Sequence, residues 1–186
     1  GCKPAQVCVD CSDRGAHMAE YWDLYDTNRK PLGRTHLRGL PLEKETYHVV
    51  VSVWTVNQEN KLLVTLRSAE KDLYPNLWEN PSGSVISGET SRDAALRELK
   101  EETGIEASEE EMRFLGTARK ASSFVDIYLV KKNLESDAIT LQEGETTAFR
   151  WVSLEQLEKM NQEGRLAFPV AFRFEQFRSV FKEFLD

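Results

Sequence analysis

Apolar and polar positions follow strand-like patterns along the first half of the chain. Residues 19–39 read as two strands around a turn, because Pro31 and Gly33 supply turn chemistry between apolar and aromatic segments. Residues 47–56 are rich in β-branched side chains, and residues 61–68 follow after a short polar break. That arrangement predicts a hairpin of two buried strands.

Three further strand patterns lie in the second half of the chain. Residues 112–120, 122–130 and 146–153 each combine β-branched and aromatic side chains with flanking turn residues. Residues 72–83 contain two prolines and a glycine, so they read as a loop.

Three helices are expected. Residues 90–103 have Thr90 as a suitable N-cap and Gly104 just beyond the last turn. Ser153 opens a short helix, and Pro169 opens the last one. The last helix carries an apolar stripe at spacings of three and four, which predicts core packing: Val170, Phe174, Phe177, Phe181 and Phe184. Strands on both sides of a central helix predict an α/β fold, with a mixed sheet and helices on both faces.

Length and charge narrow the function. The chain has 186 residues, of which 40% are hydrophobic and 30% charged, as expected for a globular protein. Its net charge of −7 and scattered basic residues argue against binding to DNA. The strongest apolar stretch, residues 47–54, is too short to span a membrane, so we expect a cytoplasmic protein.

All three cysteines lie within the first eleven residues. Cys8 and Cys11 have the spacing of half a zinc site, but no second pair completes it. The sequence Gly15 to Met18 resembles a junction left by recombinant expression. We therefore expect residues 1–17 to be foreign to a single domain that covers residues 18–186.

A cluster of carboxylates occupies one side of the central helix. Glu98, Glu101 and Glu102 are three and four residues apart, so they share a helix face and repel one another. Ala95 and Leu99 fall on the adjacent face and can pack against a sheet. A solvated acidic face is the simple interpretation, whereas carboxylates at close range are also the ligands that Mg²⁺ and Mn²⁺ prefer.

The surrounding residues match a known signature. Residues 83–105 resemble the Nudix box, G-x5-E-x7-R-E-U-x-E-E-x-G-U, where U is a bulky aliphatic residue. Every fixed position is met: Gly83, Glu89, Arg97, Glu98, Leu99, Glu101, Glu102, Gly104 and Ile105. A pattern of this length rarely arises by chance. The chain thus resembles the MutT-like Nudix hydrolases.

The resemblance implies an α/β/α sandwich that hydrolyses a nucleoside diphosphate linked to another moiety, or a related organic diphosphate. It also implies divalent cations, Mg²⁺ or Mn²⁺, held by Glu98, Glu101, Glu102 and the backbone carbonyl of Ser82. Many members have a glycine where Ser82 stands. Because a backbone carbonyl ligand does not depend on the side chain, we expect this difference to change only the local conformation of the loop.

Other residues receive supporting roles from the resemblance. Arg97 would orient the glutamates, and Glu89 would brace the loop against the helix. A further acidic residue often precedes the last strand, and Glu145 is favoured over Glu143 as ligand or base. The proton acceptor would be Glu98 or Glu145.

Arg67 could contact a substrate phosphate or could form a surface ion pair. The N-terminal hairpin could pair two copies into a homodimer.

Two alternatives remain open. The N-terminal half is similar to the isopentenyl-diphosphate isomerases, a Nudix branch with a metal-binding histidine at the position of His48. That branch has a catalytic cysteine before its box, which is missing from residues 79–85. The second alternative is a Nudix fold that senses a nucleotide without catalysis, and the complete box argues against it.

Overall fold

The computed structural model describes residues 19–135 and 138–185. Residues 1–18 lie outside it, so the expected foreign segment and the three cysteines do too. The strands are β1 Tyr21–Tyr25, β2 Pro31–Leu37, β3 His48–Val56, β4 Leu62–Arg67, β5 Trp78–Glu79, β6 Ser82–Ser84, β7 Met112–Arg119, β8 Ser123–Lys131 and β9 Thr146–Val152. The helices are α1 Ser91–Thr103, α2 Leu154–Gln162 and α3 Phe168–Leu185, with a 3-10 turn at Glu109–Glu111.

The central sheet has seven strands of mixed direction. Its main path runs β5-β4-β3-β8-β7, with β6 paired to β3 and β9 paired to β4. The long strands β3 and β8 run parallel, and the other pairs are antiparallel. The predicted mixed sheet is confirmed.

Two cores lie on opposite faces of this sheet. Val51 and Val53 of β3 face the core beneath α1, whereas Trp54 and Val56 face the core beneath α2 and α3. This alternation follows from the two-residue period of a strand. The fold is therefore an α/β/α sandwich, as expected. The predicted stripe of α3 packs in the second core, with Val170, Phe174 and Phe181 fully buried.

Residues 72–83 correct one prediction. The sequence predicts a loop here, but the segment contains the short strand β5 and the first two residues of β6. Pro75 and Pro81 lie just outside these strands, so neither removes a hydrogen bond from them. Pro81 instead accepts a bond of 2.8 Å from the amide of Val53. Pairing with β4 and β3 creates these strands, and the local sequence does not show such pairing.

The strands β1 and β2 form a separate two-stranded hairpin. Backbone hydrogen bonds of 2.8 and 2.9 Å join Tyr25 to Tyr47, just before β3. Along the parts of the chain that the structure describes, no helix is both long enough and apolar enough to cross a membrane.

Candidate active site

The helix α1 is fixed at both ends by its own sequence. The Thr90 hydroxyl accepts a bond from the Asp93 amide, and the Asp93 carboxylate accepts one from the Thr90 amide. Gly104 ends the helix in the left-handed conformation, with φ 75°. The apolar side of α1 is fully buried against the sheet, with Ala94, Ala95 and Leu99 at its centre. The carboxylates therefore emerge at the edge of the packed side.

Arg97 and Glu89 connect this helix to the loop that precedes it. Arg97 donates from Nε and Nη2 to the two carboxylate oxygens of Glu89, at 2.9 Å each. Nη2 also donates to the Ser84 carbonyl at 3.1 Å. Glu89 in turn accepts a bond of 2.8 Å from the Ile86 amide. The hydrogen bonds to the Glu89 carboxylate raise the pKa of Arg97, because they stabilise the charged guanidinium.

Glu98 and Glu102 form a largely buried carboxylate pair. Only 12% of the Glu98 side chain is exposed, and its carboxylate also accepts a bond of 2.9 Å from Arg97. Burial raises the pKa of Glu98 despite the attraction of Arg97. Burial, followed by the charges of Glu98 and Glu79, raises the pKa of Glu102 well above its ordinary value. Hydrogen bonding between the two carboxyl groups contributes to both shifts, since it lowers the pKa of Glu98 and raises that of Glu102.

The third glutamate of the cluster lies apart. Half of the Glu101 side chain is exposed, and its carboxylate is 3.4 Å from Nη1 of Arg97. In the described ranges, no three acidic, histidine or cysteine side chains are gathered in the arrangement of a metal site. The structure thus brings Glu98 and Glu102 together, while Glu101 would have to turn to join them.

Gly83 leaves room for the Glu98 carboxylate. A Cβ atom at position 83 would lie 2.0 Å from Oε1 of Glu98, which is far inside van der Waals contact. A side chain at position 83 would therefore displace the Glu98 carboxylate from its present place, so glycine here serves the position of Glu98 rather than an unusual backbone angle.

A cleft of about 440 Å³ opens in front of the carboxylate pair. It is lined by five of the residues selected from sequence: Ser82, Glu98, Glu102, Arg67 and Glu145. It also contains three charged residues that the sequence interpretation missed: Arg38, Lys71 and Glu79. The cleft combines acidic and basic groups, as a site for a metal-bound phosphate compound requires.

Arg67 is engaged in a local network. Its Nη1 donates to Glu79 at 2.9 Å, and its Nε and Nη2 donate to the Leu73 carbonyl at 3.0 and 2.7 Å. Burial raises the pKa of Glu79, although Arg67 opposes this. Arg67 thus forms an ion pair, but with only 16% of its side chain exposed the pair is not the surface pair weighed from sequence, and the guanidinium also lines the cleft. Glu79 was missed because its segment was read as a loop.

Glu145 and Glu143 differ in position. Glu145 lines the cleft and forms an ion pair with Lys71, which is also a cleft residue. Glu143 is exposed and is not among the residues that line the cleft. The placement favours Glu145, as the sequence interpretation did.

The donor set fits a hard divalent cation. The two neighbouring carboxylates are costly to ionise, because burial raises the pKa of both and the charge of Glu98 raises that of Glu102 further. A cation between them would offset both the repulsion and the burial. Oxygen ligands such as Glu98, Glu102 and the adjacent Ser82 backbone suit Mg²⁺ or Mn²⁺.

His48 is not among the residues that line the cleft of the carboxylate pair. Its ring stacks on Trp22, with centroids 3.9 Å apart and planes inclined by 7°. Burial lowers the pKa of His48 to about 4. At neutral pH the imidazole is therefore uncharged, and it packs against Trp22 of the hairpin.

Residues 46–170 match the NUDIX domain family. An uncharacterized Nudix hydrolase of Listeria innocua is 36% identical over 146 residues, which cover 78% of this chain and 86% of that protein. The crystal structure of DR0079 from Deinococcus radiodurans superposes with a TM-score of 0.66 at 25% identity, covering 80% of this chain and 92% of that one. An isopentenyl-diphosphate Delta-isomerase of Salmonella heidelberg is 32% identical over 91 residues, covering 48% of this chain and 50% of that protein.

Proposed function

Because the chain belongs to the Nudix hydrolase family, we propose that it hydrolyses the diphosphate linkage of a nucleoside diphosphate joined to another moiety, or of a related organic diphosphate. The observation that carries this proposal is the buried pair of Glu98 and Glu102 at the base of a cleft that also contains basic residues. Such a site holds a cation and a phosphate together.

Mg²⁺ is the proposed cofactor, with Mn²⁺ as a substitute. The proposed ligands are Glu98, Glu101, Glu102 and the Ser82 carbonyl. When bound, the metal would neutralise phosphate charge and lower the pKa of a water molecule.

The protein's own groups would organise the reaction around the diphosphate. Arg97 and Glu89 hold the helix against its loop, so they fix the direction of the Glu98 carboxylate. Lys71 and Arg67 line the cleft as cations that can approach a substrate phosphate. Glu145 or Glu98 would accept the proton of the attacking water, and Glu145 stands at the cleft edge with Lys71 beside it.

The isomerase alternative has a specific observation in its favour, namely the partial similarity over 91 residues. Two features oppose it. No cysteine follows Cys11 in the sequence. His48 is stacked on Trp22, and its ring is not among the groups that line the carboxylate cleft. A sensing module without catalysis is opposed by the complete set of box glutamates.

Other expectations remain proposals that accompany this function. We propose a single domain over residues 18–186, action in the cytoplasm and no role in DNA binding. Pairing of two copies through the N-terminal hairpin is a further prediction, and light scattering after size-exclusion chromatography measures it.

A substrate panel tests the proposed function. Purified protein is incubated with nucleoside diphosphates linked to sugars, nucleosides or alcohols, and with isopentenyl diphosphate, in the presence of Mg²⁺ or EDTA. Product analysis by NMR separates hydrolysis from double-bond movement. We expect EDTA-sensitive hydrolysis of at least one compound by the native protein. The hydrolase proposal fails if no compound is turned over faster than by a Glu101→Gln/Glu102→Gln variant.

A further inference from the structure

The N-terminal hairpin reaches the loop of the box. One carboxylate oxygen of Asp23 accepts a bond of 2.7 Å from the Ser87 hydroxyl, and the other accepts one of 3.2 Å from the Gly88 amide. The Tyr21 carbonyl accepts a third bond, 2.8 Å long, from the Ser87 amide. Both hairpin strands precede residue 46, where the match to the family begins.

The contacted loop is the one that orients the catalytic carboxylates. Gly88 lies directly before Glu89 and has φ 89°, a left-handed conformation that only glycine adopts easily. Glu89 then holds Arg97, and Arg97 holds Glu98. A shift at position 88 would therefore move the first member of this series of hydrogen bonds.

The hairpin itself is firmly attached to the sheet, so it can act as a fixed support. Arg29, in the hairpin turn, donates bonds of 2.6 and 2.5 Å to the two oxygens of Asp126 on β8. Asp126 is 2% exposed and also accepts a bond of 2.8 Å from Thr117. In the strand β1, Trp22 stacks on His48 of β3.

We propose that Asp23 is a positioning residue for the hydrolase site, acting through the loop at Ser87 and Gly88 on Glu89 and Arg97. This inference rests on the proposed function for its catalytic part. The hairpin is thus part of the catalytic framework, although it supplies no metal ligand. Groups that orient metal ligands from the outer shell commonly affect metal affinity and activity.

The chemistry of the contact suggests a graded set of variants. Asp23→Ala removes both acceptors. Asp23→Asn keeps an oxygen for the Gly88 amide and offers an N–H to the Ser87 hydroxyl, which can also accept. Ser87→Ala removes one of the two side-chain contacts. Glu43→Ala is the matched control, because Glu43 is exposed and pairs with Arg34 of β2 at 3.1 Å.

Turnover and metal dependence are measured for each variant on the best substrate of the panel. In Asp23→Ala we expect kcat to fall about tenfold or more, with a severalfold rise in the Mg²⁺ concentration for half-maximal rate and little change in KM. Asp23→Asn should retain at least about a third of the native kcat, since it can keep both contacts. The kcat of Ser87→Ala should lie between those of Asp23→Ala and Asp23→Asn, and the kcat of Glu43→Ala should equal that of the native protein.

Hydrogen–deuterium exchange of the metal-free protein gives a readout independent of activity. In Asp23→Ala, faster exchange should be confined to residues 84–90, with the strands of the central sheet unchanged. The proposal is overturned if exchange in Asp23→Ala increases equally throughout the sheet, or if the kcat of Asp23→Ala stays within about twofold of native. It is also overturned if Asp23→Asn loses as much kcat as Asp23→Ala. If the native protein turns over no compound, the proposed function fails, whereas the exchange experiment still decides whether Asp23 holds the loop.

Discussion

Arg97 holds Glu89 by two parallel hydrogen bonds of 2.9 Å, one to each carboxylate oxygen. This paired geometry belongs to a planar guanidinium and cannot be formed by an ammonium group. The same side chain reaches the Glu98 carboxylate and the Ser84 carbonyl, so one residue joins the helix, the loop and the buried acidic pair.

Replacement of Arg97 by lysine should therefore impair catalysis severely, although the positive charge is retained. We expect kcat to fall by about tenfold to a hundredfold, because the loop and Glu98 lose their common support. Steady-state kinetics with saturating Mg²⁺ measure this effect. Arg92→Lys is the control, since Arg92 donates hydrogen bonds to the backbone carbonyls of Glu109 and Met112 and to no box glutamate. Equal activity of native and Arg97→Lys proteins would show that the paired geometry is dispensable.

The two acidic residues before β9 should respond differently to neutralisation. Glu145 lines the cleft beside Lys71, so Glu145→Gln should lower kcat by about tenfold or more if it accepts the proton. Glu143→Gln should stay within about twofold of native, because its side chain is solvated outside the cleft lining. A reversed order, measured under identical Mg²⁺ and pH, would assign the role to Glu143.

Folding stability should depend on pH through His48. Burial, aided by the charges of His36 and Arg38 and opposed by Glu20, lowers the pKa of this imidazole from its ordinary value of 6.5 to about 4. Between pH 6.5 and 4 the unfolded chain binds a proton that the folded chain excludes. The free energy of unfolding from this residue therefore decreases as the pH falls through that window, by at most about 1.4 kcal/mol per pH unit.

Urea denaturation at pH 7.5 and pH 4.5 measures that loss. A His48→Phe variant keeps a ring against Trp22 but binds no proton, so it should lose less stability than the native protein on acidification. An identical loss in both proteins would assign the pH dependence to other groups.

The local features of the site were predictable from sequence. The caps of α1 involve residues within a few positions of each other, and the spacing of Glu98, Glu101 and Glu102 fixes their common face. The apolar stripe of α3 was equally readable, because helical periodicity alone defines it.

The remaining parts of the site depend on contacts between distant segments. Glu79 meets Arg67 because β5 pairs with β4, and the proline-rich sequence around β5 gives no sign of that pairing. Asp23 and Ser87 are 64 positions apart in sequence, and they meet because the hairpin packs against β3 and β8. Glu101 turns toward Arg97 rather than joining the buried pair, and helix geometry cannot distinguish these side-chain orientations.

In the proposed mechanism, the Glu98–Glu102 pair holds the cation on which hydrolysis depends. The most direct test compares kcat for Glu102→Gln and Glu106→Gln on one substrate across a range of free Mg²⁺. Glu106 is exposed just after the same helix and pairs with Lys100, so it controls for the loss of one charge. We predict that Glu102→Gln loses at least about a hundredfold in kcat and that Glu106→Gln stays within about twofold of native. Native-like turnover by Glu102→Gln at the same Mg²⁺ concentration would contradict the claim.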